Sequence, residues 1–429
     1  MGGYPRGCHR LVHHALRYLA FQRRLCAASY GALSRRGQGS SAISLAPTMA
    51  FSIRDVRIAG AVLGVLIVAA VWVNVAVTLV IPRGRVGFIK VVDRLVARVY
   101  TVAGGLVRSW ERRDALLASQ PVVTLGMLLF TWLAGLVVGY GLLLWLAGGS
   151  FPDALREAGS SLFTLGFAAR SVAEPSVVDF FAAASGLVIV ALLIAYLPTL
   201  YAAYNRRETE VTLLGPRAGS PAWGPELLAR VQIADGIEQL TVIYEGWERW
   251  SADVAESHSS YPSLLRFRSP EPHSSWVVSQ LAVLDAAALH LAACPASAPF
   301  TARLCVQMGF TCLRKLTRTL RIPVDDDPRP DDPVRLSWEE FMQGWERITS
   351  VGFPVERTAE EAWPHFRGWR VNYEAAAYKL AWGLDAVPGR WSGPRRHEWG
   401  PLESRRLINR TPEHPDGQPA APRGLLPGG

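Results

Sequence analysis

Lysine is nearly missing from this 429-residue chain: it occurs at Lys90, Lys315 and Lys379 alone. Arginine therefore carries the positive side of a formal net charge of +9. That usage, beside abundant Ala, Gly, Pro and Val, is the habit of a GC-rich bacterial genome. Acidic residues are absent until Asp55. The cysteines are few and scattered, at Cys8, Cys26, Cys294, Cys305 and Cys312, and no two stand at the Cys-x-x-Cys spacing of a zinc or redox motif. They read as free thiols. His258, His273 and His290 show no His-Glu-x-x-His spacing. No glycine-rich phosphate loop follows a strand, and no strand–helix alternation marks a dinucleotide fold. No catalytic constellation is left to find, so no enzyme, cofactor or protein-built metal centre is expected.

What is present is apolar and unevenly placed. Half the residues are hydrophobic, and they crowd into Ile58–Ile81, Val122–Ala147 and Val177–Ala203. A run of about 20 apolar residues makes a helix that crosses the hydrocarbon core. The runs lack the alternation of barrel strands, so three transmembrane helices are predicted. Basic residues flanking such spans account for the net charge, and nucleic acid is not expected as a partner. Asn74, inside the first run, can bond a neighbouring helix or a neighbour's backbone.

The first 48 residues form a region of their own. Arg6, Arg10, Arg17, Arg23, Arg24, Arg35 and Arg36 precede a Ser/Gly-rich patch. This composition fits a transit peptide or an upstream extension before a start at Met49. The second reading is preferred, since nothing in the stretch needs a packed core. Between the first two apolar runs, Gly87–Trp110 mixes apolar residues with charge. Lys90, Arg94 and Arg98 recur every four residues and share one helix face. An interfacial helix on the inner membrane surface is predicted. A spanning, charged helix would bury each cation at roughly 2.5–3.5 kcal/mol.

Counting arginines puts this segment, and Tyr204-Asn205-Arg206-Arg207 after the third run, in the cytoplasm. The loop between the second and third runs, with Asp153, Glu157, Glu174 and Asp179 against Arg156 and Arg170, faces out. Three spans place the N-terminus outside. The arginine-rich start conflicts with that placement unless Met49 is the start or Gly87–Trp110 crosses. The expected residence is the plasma (inner) membrane, multi-pass, with the C-terminal half cytoplasmic.

The outer loop carries the sharpest signal. Phe151–Ser171 reads FPDALREAGSSLFTLGFAARS. Pro152 suits the first turn of a helix, and Asp153 and Glu157 suit its positive end. The helix is too short to span, so it dips in and returns. Returning backbone at membrane depth must be buried in protein or line water. Ser161-Leu162-Phe163-Thr164-Leu165-Gly166-Phe167-Ala168 resembles the Thr-x-x-Thr-Val-Gly-Tyr-Gly strip of two-span, pore-loop potassium channels. Leu165 replaces Val, Phe167 replaces Tyr, Ala168 replaces the last Gly, and Ala169 stands where an Asp often follows. The resemblance implies a homotetramer in which backbone oxygens of Thr164, Leu165, Gly166 and Phe167, with Ala168 closing the strip, replace the hydration shell of a monovalent cation. It also implies an inner-pore helix bending near Gly186 or Pro198. Ala168 would take a left-handed backbone at roughly 1–2 kcal/mol.

The remainder is soluble in character. Gly215–Pro221 is a linker signal. Helices are predicted over Glu226–Trp250, Trp276–Cys294, Thr301–Leu320, Trp338–Ile348 and Thr358–Trp382. Trp247, Trp250 and Trp276 suit a core or a ligand pocket. The acidic connector Asp325–Pro333 lacks the glycine and final Glu of a calcium loop. The tail from Pro388 has a disordered composition.

The predicted fold is an all-α membrane protein with three transmembrane helices. A re-entrant pore helix and loop lies between the second and third, and a soluble helical C-terminal domain follows. Its regions are 1–48, the first span with the basic helix at 49–120, the pore unit at 121–207, the soluble domain at 208–385 and the tail at 386–429. The expected function is a monovalent cation channel subunit, potassium-like, with membrane lipid, cations and its own copies as partners. The alternative is a non-conducting membrane protein whose soluble helices bind a partner or ligand.

Overall fold

Long apolar runs with little local contradiction fold as helices, and every regular element among the described residues is helical. The computed structural model describes residues 52–80, 87–168, 177–397 and 399–403. The expectations for 1–48 and for the tail beyond 403 lie outside them. Apart from Ser52 and Ile53, all of this belongs to one unit, Arg54–Gly429. Helix α1 (Ile53–Val75) ends in a π-helical turn, Ala76–Val80. Then come α2 (Gly87–Gly105), α3 (Trp110–Ala118), α4 (Gln120–Trp145), α5 (Phe151–Leu162) and α6 (Val177–Ala218). The C-terminal helices are α7 (Gly224–Ile233), α8 (Gln239–Ser260), α9 (Trp276–Ala293), α10 (Phe300–Leu320), α11 (Trp338–Thr349), α12 (Ala359–Arg370) and α13 (Glu374–Gly383).

Among the described residues, four stretches are long and apolar enough to cross a membrane, and burial separates them. The apolar windows of α1, of α3–α4 and of α6 are only 17 %, 22 % and 22 % buried, whereas that of α9 is 94 % buried. Helix α9 is already wrapped by protein and is the axis of the C-terminal core. The other three expose Leu66, Phe130, Phe180 and Ile194 at 60 % or more. So much bare apolar surface is supported by lipid, not by water. These helices mark a membrane protein.

Helices α1 and α4 meet backbone to backbone. A Cβ on Gly64 would lie 2.6 Å from the Gly139 carbonyl oxygen, and one on Gly139 would lie 2.8 Å from Val68. With Gly60 and Gly135 each helix carries a Gly-x-x-x-Gly face, the pattern that lets membrane helices approach closely. Beyond the crossing, Trp132 Nε1 donates to Asn74 Oδ1 at 2.8 Å, and both side chains are buried. Asn74 thus bonds a side chain of the neighbouring helix. Gly64→Leu is expected to lower stability by roughly 1–3 kcal/mol through overpacking, seen as a lower thermal midpoint. Gly126→Leu, on an open face of α4, should leave the midpoint unchanged.

Several expectations for the soluble part are corrected. Gly215–Pro221 is not a linker: α6 continues without a break to Ala218, and Val211, Leu214 and Ala218 pack in the soluble core. Pro216 sits in the last turn, where a missing N–H costs one bond at most, and Gly219 at φ +85° ends the helix. The predicted helix Glu226–Trp250 is two helices. Asp235 at φ +55° turns the chain, with Asp235 N donating to Gln232 O and Gly236 N to Val231 O. That pair of bonds is a Schellman stop. The predicted helix Thr358–Trp382 is likewise broken at Val371–Tyr373, which brings the Tyr373 hydroxyl to Asp285 at 2.9 Å. Trp247, Trp250 and Trp276 are core residues.

The start of the tail is ordered, against the reading from composition. Val387, Trp391 and Ser392 are buried, and Arg395 donates to the carbonyls of Ala386, Val387 and Ser392. One buried cation holds α9, α12, α13 and this tail together. Arg370 is fully buried; it pairs with Asp285 and with Glu374 (2.7 Å), and donates to Tyr378 Oη and Trp391 O, both at 2.8 Å.

Candidate pore-loop site

The turn after α4 contains Gly148 and Gly149, both at positive φ. Ser150 then caps α5, its Oγ accepting from Asp153 N at 3.3 Å, and Pro152 occupies the first turn. Helix α5 has 12 residues, about 18 Å of rise. It lies against α4 and α6. Ala154, Ala158 and Leu162 are buried with Leu136, Tyr140 and Ile189. Tyr140 Oη and Ser185 Oγ, 2.7 Å apart, tie α4 to α6 beside it.

The end of α5 is fixed to α6. A Cβ on Gly186 would fall 2.1 Å from the Leu162 carbonyl oxygen. Ser161 Oγ donates to Asp179 Oδ1 at 2.7 Å. Gly186 is therefore the point where the α5 terminus rests on α6, with backbone against backbone. Pro198 is exposed on α6, which runs on unbroken past it.

The strip Thr164–Ala168 leaves this terminus in a tight sequence of turns. Thr164 N donates to Ser161 O at 3.0 Å and Leu165 N to Ser160 O at 2.8 Å; the Ala168 N–H returns to the buried Ser160 Oγ at 3.2 Å. Thr164 (φ +54°) and Gly166 (φ +68°) take the left-handed region. Ala168 does not, so the strain expected there falls on Thr164. Its cost is roughly 1–2 kcal/mol for a non-glycine residue. Phe163, Leu165 and Phe167 are 50 %, 61 % and 58 % exposed. The Arg156 guanidinium lies over the Phe167 ring at 5.4 Å. Arg170 and Glu174 lie outside the described residues.

A second constellation, not foreseen from sequence, sits where α6 meets the soluble helices. Arg207, counted among the basic residues that follow the third apolar run, is fully buried. It pairs with Glu208 at 2.6 Å, approaches His258 Nε2 at 2.9 Å, and donates to Leu264 O and Phe267 O at 2.9 and 2.7 Å. Burial, reinforced by the Arg207 charge, holds the His258 pKa well below its usual value, so this imidazole is neutral. The same loop bonds outward through Arg266 to Asp93 on α2 (3.0 Å) and through Arg268 to Asp114 on α3 (2.5 Å). One connector thus grips α2, α3 and α6. The only sequence signal was an Arg at the membrane exit and a loop dense in Ser, Tyr and Arg.

Comparison with protein-family models, curated proteins and solved structures finds no match for this chain.

Proposed function

We propose that this chain is a subunit of a monovalent cation channel, potassium-like, in which four copies surround a pore and Thr164–Ala168 forms the filter. The observation that carries the reading is a helix too short to cross a bilayer, wedged between two that are long enough, with a strip of alternating-handed backbone at its end. About 18 Å of helix stops well short of a ~30 Å hydrocarbon core. The C-terminal end of α5 carries the negative end of its dipole, which favours a cation at the strip. The uncovered Phe163, Leu165 and Phe167 leave the site incomplete in one chain and give neighbouring copies something to bury. The soluble helices would assemble the tetramer or transmit a stimulus through the Arg207 connector to α6.

The test is flux. Protein reconstituted into liposomes should be tetrameric and pass potassium. Gly166→Asp should bring flux to the protein-free background at unchanged expression and assembly. A bulky acid at φ +68° distorts the strip, and its carboxylate traps the ion. Flux surviving that change, or no fourfold assembly, removes the proposal.

A further inference from the structure

A cleft of about 100 Å³ opens between α2, the first turn of α4, the Arg266–Arg268 segment and the turn at Gly383–Asp385. Arg113, Arg266, Arg268 and Arg396 all line it, with Asp385 as the one acid on its wall. Three of these arginines have a carboxylate each. Arg113 pairs with Asp385 at 2.6 Å, Arg266 with Asp93 at 3.0 Å and Arg268 with Asp114 at 2.5 Å.

Arg396 has none among the described residues. Its guanidinium is stacked on Trp382 at 4.2 Å, and its polar contact is Thr101 Oγ1 at 3.4 Å. The stack fixes the plane of the cation, and apart from the Thr101 contact its N–H groups have no partner among the described residues. A second group points the same way. Gln120, on the cleft wall, is 8 % exposed, and its Nε2 donates to nothing. A buried amide donor without an acceptor is rare in folded proteins. A surplus guanidinium on one small space, with an unpaired amide enclosed in the same wall and further arginines behind, is a donor set for an oxyanion. The planar Arg396 fork suits two oxygens of a phosphate.

We infer that this cleft binds a phosphate-bearing anion, held by Arg396 and by the Gln120 amide once its side chain turns out of the wall. The cleft lies at the end of α4 where its apolar run begins, so a phospholipid headgroup and a soluble phosphate compound both reach it. An occupant would touch α2, α4 and the soluble domain together. The inference does not rest on conduction: its failure leaves the channel reading intact, and a non-conducting protein would still bind.

The experiment uses the full chain in a zwitterionic detergent. Short-chain phosphatidylglycerol is titrated in one arm, inorganic pyrophosphate in another and short-chain phosphatidylcholine as the neutral control. Tryptophan fluorescence, to which Trp382 contributes, and the thermal midpoint are read. A saturable response to at least one anionic probe and none to the choline lipid is expected, weakening with salt. Response to phosphatidylglycerol alone assigns a lipid headgroup; response to pyrophosphate assigns a soluble ligand. Arg396→Ala and Gln120→Leu should each weaken binding by about tenfold or more. Arg396 is exposed and Gln120→Leu removes an unpaired donor, so both variants keep the unliganded midpoint. No saturation with either anionic probe, or parental affinity in Arg396→Ala, overturns the inference.

Discussion

Replacing Arg370 with methionine is expected to cost the soluble domain about 3–5 kcal/mol, the loss typical when one member of a buried ion cluster is removed. The side chain is fully buried and joins Asp285, Glu374, Tyr378 and the Trp391 carbonyl. Methionine fills much of the volume but answers none of these groups. Two carboxylates would be left in the core, though Glu374 keeps the Leu336 N–H at 3.4 Å and Asp285 keeps the Tyr373 hydroxyl. For a domain of this size the loss corresponds to a fall in thermal midpoint on the order of 10 °C. Arg370→Lys keeps the charge without the fork, and should fall between the two. A midpoint unchanged in the methionine variant would mean that the cluster does not hold α9, α12, α13 and the tail together.

The same variant should change its pH response. In the parent, burial pushes the Asp285 carboxyl up to about 6 against the pull of Arg370 and Tyr373. Its unfolded value is about 3.9. The folded state therefore holds a proton between those values that the unfolded chain has released. This group favours folding at low pH, and the benefit is lost as pH rises through about 6. Without Arg370 the carboxyl climbs further and is neutral over a wider range. The stability deficit of Arg370→Met should thus be largest at about pH 8 and narrow toward about pH 5.5. A constant deficit across that range would show that Asp285 does not carry the difference.

Hydropathy made the long apolar helices legible, because a continuous apolar run leaves little choice of solvent. The start of α5 was legible too, since Pro152 and the early acids mark a helix N-terminus. What escaped the sequence is what depends on a partner far along the chain. Gly60, Gly64, Gly135 and Gly139 stand at the right spacing, but spacing on one helix does not say which helix faces it. The burial of Arg207 and Arg370 has no signal in the sequence, because an arginine is buried only when carboxylates from other elements are brought to it. Pro216 and Gly219 read as a linker when they end a helix already packed in the core. Trp391 and Arg395 anchor a tail whose average composition is that of an unfolded one; two side chains with specific contacts outweigh the average.

On the proposed channel reading, Gly186→Ala is expected to abolish ion flux, although it adds one methyl group. Two roles are open to a glycine at this place on α6, a hinge and a contact. A hinge tolerates alanine, since alanine is the better helix former by about 1 kcal/mol; flux would persist with altered gating. A contact does not tolerate it here. The new Cβ would fall 2.1 Å from the Leu162 carbonyl oxygen, a backbone atom that no rotamer change can move. Either α5 shifts away from α6 or α6 bends outward. In both cases the Ser161–Asp179 bond and the Ser160 anchor of Ala168 move with the end of α5, and the strip loses its geometry. Gly186→Val should be no worse than alanine, because the first methyl already forces the displacement. Gly159→Ala on α5, where a Cβ meets nothing within 4 Å, is the control and should conduct like the parent. Liposome potassium flux, normalised to the amount of assembled protein, reads all three. Conduction by Gly186→Ala at the parental level would mean that α5 does not rest on α6 in the conducting state, and the filter would have to be sought elsewhere.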